Sequence, residues 1–390
     1  MKEIKTTMTG SWYRPAEILQ LLSKSPSGEI SQAYVDIIKN AERKAIRDQL
    51  HPNGSLVGLN WVSNGEQRKS GYTGYLPNRY RGFSTTERVT TPFPKSMIEE
   101  FNESNPQLLA TLQNPETSRA FSLPKIVSKL EYTGGELAKR EAKDAAGLAK
   151  EEGAERIFIP SASPGVTTIF FANNKDVYNS HLEYLFSVAK EQSKEYRAIL
   201  SVEGVDLQID APDLAMAKQS AGDWDVDFYE ALHSHVDAIN EAIAGLPKER
   251  IRVHYCYGNW LGSHRFDADF RRVLEEITKL KVGTIVGEFA NPRHEGDAYI
   301  LKNHVIEYGW PKGLRFAVGV IDVKTPFVES PETIAVRLTK VAEIIGAQNV
   351  LGGTDCGFET FAMFNNIPYK IGLLKLESLV LGAKLAGDIC

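Results

Sequence analysis

The stretch Arg250–Cys256, RIRVHYC, followed by FDADFRRVLEEITKL at 266–280, decides the fold. Its first part reads as a β-strand and its second as an amphipathic helix. The same unit recurs on both sides. IFIPSAS (157–163) leads to VYNSHLEYLFSVAKEQSKEYRAIL (177–200), and VDLQID (205–210) leads to FYEALHSHVDAINEAIAG (228–245). Further on, VGTIVGEF (282–289) precedes AYILKNHVIEYG (298–309), and LRFAVGVID (314–322) precedes SPETIAVRLTKVAEIIG (330–346). Ser330 is placed to cap that last helix, with Pro331 at its first position. NVLGGTDCGF (349–358) and IGLLKLESLVLGAKLAG (371–387) complete six such units. Short strand-to-helix connections argue for a parallel sheet with helices outside it.

Two more strand candidates lie earlier, IKTTMTGS (4–11) and SLVGLNWVS (55–63). They bring the number to about eight, which closes a (β/α)8 TIM barrel, so an α/β barrel over residues 1–390 as a single domain is the expected architecture. The region from about Gly65 to Leu123, rich in Tyr, Thr, Pro and Arg, reads as an irregular insertion after the second strand. An open doubly wound sheet is the alternative. No G-x-G-x-x-G follows any strand, and GGEL at 134–137 is an isolated glycine pair.

Composition narrows the function classes. Of 390 residues, 42% are hydrophobic and 24% charged, values typical of globular proteins with ample core. The formal net charge of −5, with basic residues scattered, speaks against nucleic acid or an anionic membrane as partner. The N-terminus lacks the apolar core of a signal peptide, and no apolar run is long enough to span a bilayer. Three cysteines, at 256, 356 and 390, suit a reducing compartment, and a cytoplasmic enzyme is expected. Cys390 is expected in an exposed tail without a role.

In such a barrel the active site lies at the carboxyl ends of the strands. Those ends carry Gly10 and Ser11, Glu66, Asp210, His254 and Cys256, Glu288, Asp322 and Lys324, then Asp355 and Cys356. Residues i and i+2 of a strand share a face, so His254 and Cys256 point the same way. Each of these side chains taken alone has an ordinary explanation: a buried cysteine, a helix cap, a hydrogen-bonded core histidine. Together His254, Cys256, Glu288 and Cys356 offer nitrogen, sulfur, oxygen and sulfur, a set that suits zinc. No C-x-x-C pair is present, so this is no zinc finger. Two thiolates and a carboxylate make the centre formally anionic and a poor generator of hydroxide. It suits holding a substrate thiol as the thiolate nucleophile, so S-alkylation is expected in place of hydrolysis.

HYCYGNW (254–260), the glutamate after TIVG, GVIDVKTPFVES (319–330) and TDCG (354–357), in that order, resemble the catalytic domain of cobalamin-independent methionine synthase. TGSWYRP (9–15) and LQIDAPDL (207–214) share the resemblance, which looks like that of a short, single-barrel branch without the extra N-terminal barrel. It implies that His254, Cys256, Glu288 and Cys356 are zinc ligands and that Ser11 meets an amino-acid carboxylate. Glu66 and Asp210 would hold the ammonium of L-homocysteine, in keeping with the need of a buried ammonium for charge-assisted partners. The implied reaction is methyl transfer to homocysteine, giving methionine, from a methyl-folate or a methyl-corrinoid carrier such as a corrinoid protein.

The chain departs from the family at the donor side. Ala211 stands where the long enzymes carry a glutamate before proline, and Lys324 stands where they carry a histidine thought to protonate the departing folate nitrogen. Asp322 and Lys324 are the candidate catalytic pair, although an unperturbed lysine pKa of roughly 10.4 makes a weak proton donor at neutral pH. TTIFFANN (167–174) lacks the family's folate-contacting tryptophan and leaves Phe170 or Phe171. The same branch includes enzymes that add coenzyme M to epoxides. Their sulfonate needs cations, for which Arg14, Arg68, Lys69 and Arg293 are candidates. A non-catalytic zinc-binding barrel and a metal-free uroporphyrinogen decarboxylase-like barrel are further alternatives. NGEQRKSGYTGYLPNRYRGF (64–83) is expected to close over the site.

Overall fold

The computed structural model describes residues 3–25, 28–89, 95–114, 122–171, 173–219, 226–362 and 367–390. Its strands are β1 (Trp61–Ser63), β2 (Tyr80–Val89), β3 (Leu123–Tyr132), β4 (Arg156–Ala162), β5 (Val205–Asp210), β6 (Ile251–Tyr255), β7 (Thr284–Glu288), β8 (Arg315–Ile321) and β9 (Val350–Thr354). Seven of them form one sheet in the order β1-β4-β5-β6-β7-β8-β9, parallel at every pairing. β5, β6, β7 and β9 are buried at every position, as strands covered on both faces must be.

The first strand contracts to two residues, and they join the sheet's edges. Thr6 pairs with Gly352 of β9 and Thr7 with Trp61 of β1, both parallel. Thr7 N donates to Gly352 O (2.9 Å), Gly352 N to Lys5 O (2.9 Å), and Trp61 N to Thr6 O (3.1 Å). Beyond Thr7 the ladder gives way to side-chain bonds: Thr9 N donates to Thr354 Oγ1 (3.0 Å) and Thr9 Oγ1 to Thr354 O (2.9 Å). Gly10 then turns with φ of 54°. The second strand is likewise shorter than its apolar run, because Leu56 and Val57 are exposed and lie outside it.

Helices return the chain between strands. Ser163, Ser180, Asp227, Asp269 and Ser330 each cap one by accepting a backbone N–H. The Ser330 cap with Pro331 behind it is as expected. Outside the insertion four α-helices go beyond the sequence expectation: Ala16–Ser23, Val35–Leu50, Pro164–Phe170 and Gly135–Glu152, the last beginning within GGEL. Among the described residues no helix is long and apolar enough to cross a membrane.

The described residues of the insertion form regular elements where an irregular segment is expected from sequence. It holds helices Leu76–Arg79, Lys95–Ser104 and Pro106–Gln113, and β2 pairs antiparallel with β3, so that it extends to Tyr132. Register shifts between Arg81, Phe83 and Arg88 break the even alternation that would have marked a hairpin.

A buried ionic network ties the insertion to the barrel. Arg79 is fully buried and donates to Glu29 (2.6 Å), Glu141 (2.6 Å) and Glu195 (2.9 Å). Removing one partner of such a network strands the others in low dielectric. Arg79→Met is therefore expected to lower unfolding free energy by roughly 3–5 kcal/mol in urea denaturation.

Candidate metal and substrate site

Alternation along β6 puts His254 and, just past its end, Cys256 on the inner face. β9 ends one residue before Asp355, which delivers Cys356 from the other side. One ligand atom from each of His254, Cys256 and Cys356 lies within 4.8 Å of the others, and all three residues are buried. Buried His254 Nδ1 has no hydrogen-bond partner among the described residues. A soft nitrogen–sulfur–sulfur set with an orphaned ring nitrogen fits a zinc-like cation.

The two thiols share a hydrogen bond, which pulls Cys256 down to about 5 against burial, with His254 helping. The same bond, with burial, pushes Cys356 up. Burial alone would depress His254, but the Cys256 charge and hydrogen bond outweigh it and raise the imidazole.

Glu288, the fourth expected ligand, lies outside this trio. It is fully buried, and its carboxylate takes the Lys324 ammonium, Asn291 Nδ2 (3.2 Å) and Tyr257 N (3.2 Å). Burial opposes ionisation, yet Lys324 with His264 and His294 holds Glu288 at about 2. Lys324 is itself buried. Burial would lower its pKa, but Glu288, Cys356 and Asp355 together raise it above the ordinary lysine value. Asp322 accepts from Lys324 N (2.8 Å) and Thr325 Oγ1 (2.9 Å), fixing the turn that presents the lysine. Asp355 holds the loop after β7, accepting backbone N–H groups of Phe289 (3.0 Å), Ala290 (2.9 Å) and Asn291 (3.0 Å).

The candidate substrate residues converge beside the trio. Glu66 and Asp210 are both buried. Burial and the neighbouring Asp210 charge raise Glu66 to about 7. Burial raises Asp210 to about 6, against His254 and a hydrogen bond from Gln208 Nε2 (2.7 Å). Glu66 Oε2 is buried without a partner among the described residues. Glu66 also has φ of 57°, a left-handed conformation costly for a side chain with a Cβ. Asn64 sustains it: Asn64 Oδ1 accepts from Glu66 N (3.1 Å), while Asn64 Nδ2 donates to Glu42 (3.0 Å) and Glu141 (3.1 Å). A Cβ at Gly10 would come within 2.7 Å of Glu66 Oε1, so the glycine before Ser11 makes room for that carboxylate. Ser11 is buried against Gly357, and its carbonyl accepts from Phe358 N (3.0 Å).

The insertion contributes Tyr72. Its ring meets Phe170 (5.5 Å between centroids) and Phe361 (5.2 Å), making an aromatic wall of three half-buried rings. Burial first, then Cys256, Asp210, Cys356 and Glu66, raise the Tyr72 hydroxyl, which places it by these acids. Phe171, in contrast, is core and packs on Phe83. Sequence reading missed Asn64, Tyr72, Phe361 and Gln208. Only Gln208 had a usable signal, standing two residues before Asp210 on the same strand face.

Three of the four candidate sulfonate cations are engaged. Arg14 pairs with Glu359 (3.3 Å), Arg68 with Glu42 (2.7 Å) and Asp144 (3.3 Å), and Lys69 with Glu141 (3.1 Å). Arg293 is exposed and donates to His264 O (3.3 Å).

A parallel barrel with a buried histidine–dicysteine trio and paired carboxylates at its carboxyl-terminal mouth carries the donor set that a metal–thiolate site needs. Residues 180–368 match the family described as cobalamin-independent synthase, catalytic domain, and the resemblance seen in the motifs holds. A methionine synthase from Thermococcus kodakarensis is 24% identical over 386 residues, covering 98% of this chain and 93% of its own length. One from Sulfurisphaera tokodaii is 22% identical, covering 99% and 93%. A 2-hydroxypropyl-CoM lyase from Xanthobacter autotrophicus is 26% identical over 57% of this chain and 59% of its own length. The solved B12-independent methionine synthase from Shewanella sp., in complex with selenomethionine, shares the fold with a TM-score of 0.70 at 19% identity, covering 99% and 98%.

Because the folded state raises the Glu66 pKa, its proton is bound more tightly folded than unfolded. The stability this lends is full below the ordinary carboxylate pKa and is lost as pH climbs through about 7. Glu66→Gln is thus expected to be more stable than the parent at pH 8, by up to roughly 3 kcal/mol, with the difference vanishing near pH 4. Thermal unfolding across that range checks both sign and window.

Proposed function

We propose that this chain is a zinc-dependent methyltransferase that methylates the thiol of L-homocysteine to give methionine. The observation that carries the reading is the meeting of His254, Cys256 and Cys356 beside the Glu66–Asp210 pair. Those three residues would hold the zinc, with Glu288 as the proposed fourth ligand, for whose carboxylate Lys324 competes. Bound there, zinc would keep the substrate sulfur as a thiolate at neutral pH.

The chain's own residues account for the rest. Glu66 and Asp210 receive the substrate ammonium, whose charge stabilises both carboxylates in the ionised form. Ser11, at the end of the first strand, meets the substrate carboxylate. Tyr72, Phe170 and Phe361 form the wall against which a flat methyl-folate donor stacks. Lys324 is the proposed proton source for the departing donor nitrogen, and Asp322 positions it. A corrinoid carrier finds no support: the matching family is described as cobalamin-independent, and that donor is dropped. Thiols that must stay reduced suit the cytoplasm, where we place the protein as a single-domain barrel.

Addition of coenzyme M to an epoxide is a second reading, favoured by the likeness to the CoM lyase. Of its four candidate sulfonate cations, Arg14, Arg68 and Lys69 already pair with carboxylates, which leaves Arg293 alone for that role. The unpartnered carboxylate oxygen of Glu66 matches an ammonium better than a sulfonate.

Two measurements test the proposal. Cys356→Ala is expected to lose most bound zinc and all thiol alkylation while staying folded, and full zinc content with activity in that variant would sink the proposed site. Zinc-edge absorption on the parent should gain one sulfur neighbour on adding L-homocysteine and none on adding coenzyme M. For the donor wall, Phe170→Ala should raise KM for methyl-folate about tenfold or more while leaving homocysteine affinity unchanged, the expected loss of one stacking face.

A further inference from the structure

The opposite end of the barrel holds a second concentration of charge that the proposed reaction does not use. A cavity of about 510 Å³ there is lined by Arg156, Lys248, Glu249, Gly283, Lys312, Gly313 and Arg315. Arg156 and Arg315 are the first residues of β4 and β8, so the cavity lies at the amino-terminal mouth, away from the trio. Its four cations face one lining carboxylate, Glu249.

The charge imbalance persists inward. Arg156 and Arg250 share Asp206, the second at 3.9 Å. Arg252, buried on β6 two residues further along the chain, has no carboxylate partner among the described residues. It donates to Thr7 Oγ1 (2.8 Å) and Met8 O (3.0 Å), and its Nε is unpartnered. Arg315 makes one long bond to Gly283 O (3.5 Å), and Lys248 and Lys312 have no ion-pair partner among the described residues. Arg156 and Arg315 both lie over the Trp61 ring, at 4.5 and 4.7 Å from its centroid. Two guanidinium groups held near one indole repel each other, and a half-buried excess of positive charge is unfavourable unless an anion offsets it. In a chain with net charge −5, this concentration is not a by-product of overall composition.

We propose that the cavity at the amino-terminal mouth binds a small molecule through a diphosphate group, with Arg315, Lys248 and Lys312 as its principal ligands. Guanidinium and ammonium donors around a cavity of this size match the geometry and charge of such a group. Chemistry in this architecture belongs to the other end, so the bound molecule acts on stability and not as a reactant.

Calorimetric titration of the full chain at constant ionic strength, with sodium pyrophosphate and separately with ADP, tests the site. Saturable binding of one pyrophosphate per chain, weakened about tenfold or more in the Lys248→Gln/Lys312→Gln double variant, is expected from the loss of two charge-assisted contacts. Both lysines are exposed, so that variant should fold even if Arg315→Gln, which removes a ring contact, does not. ADP binding much more tightly than pyrophosphate would identify the source as a nucleotide. Equal binding would identify the diphosphate alone. Heats no larger than those of sodium chloride, or binding unchanged in the double variant, would overturn the assignment.

Discussion

Two threonines hold the candidate site together. Without Thr6 and Thr7 the seven-stranded sheet would end at β1 on one side and β9 on the other. Those edges carry Glu66 and Cys356 on the residues that follow them. The bridge brings the Glu66 carboxylate and the second thiol to a common mouth, although most of the chain lies between Ser63 at the end of β1 and Val350 at the start of β9. Arg14 reinforces the junction by donating to Glu66 O (3.2 Å), Lys69 O (3.0 Å) and Glu359 O (2.8 Å), which binds three loops at once. Its charge is spent on architecture.

The barrel was legible because burial on both faces leaves strands as short apolar runs, and because caps and short links punctuate them. RIRVHYC and VGTIVGEF needed no tertiary knowledge to be read. Strand ends also exposed the chemistry, since alternation fixes which of two neighbouring residues points inward. What stayed hidden depends on contacts between distant segments. Tyr72 becomes part of the site only because Gly71 pairs with Phe361. Lys324 becomes the partner of Glu288 only because β7 and β8 are neighbours. The hairpin of β2 and β3 was masked by its register shifts, and the two-residue length of the first strand by an apolar run that side-chain hydrogen bonds cut short.

The two ends of the barrel are complementary in sign. At the carboxyl-terminal mouth burial works against carboxylates and thiols that the chain cannot fully pair. At the amino-terminal mouth it works against arginines. The two proposed ligands match these signs, a cation at one end and an anion at the other. Between the ends lies a small buried apolar cluster of Trp61, Val286, Ala317 and Leu351 on the inward face of the strands. A low-dielectric core of this kind strengthens electrostatic effects while its close packing resists distortion.

Position 66 joins two costs in a single residue. A left-handed backbone favours glycine there, and a buried carboxylate beside Asp210 favours almost anything uncharged. Asn64 and the ion pairs behind it hold the glutamate in place against both preferences. With Glu66 in its proposed role, a library of variants sorted for heat resistance would drift away from glutamate at this position, whereas one sorted for turnover would return to it. Under that reading, selection for persistence and selection for use pull on one side chain in opposite directions.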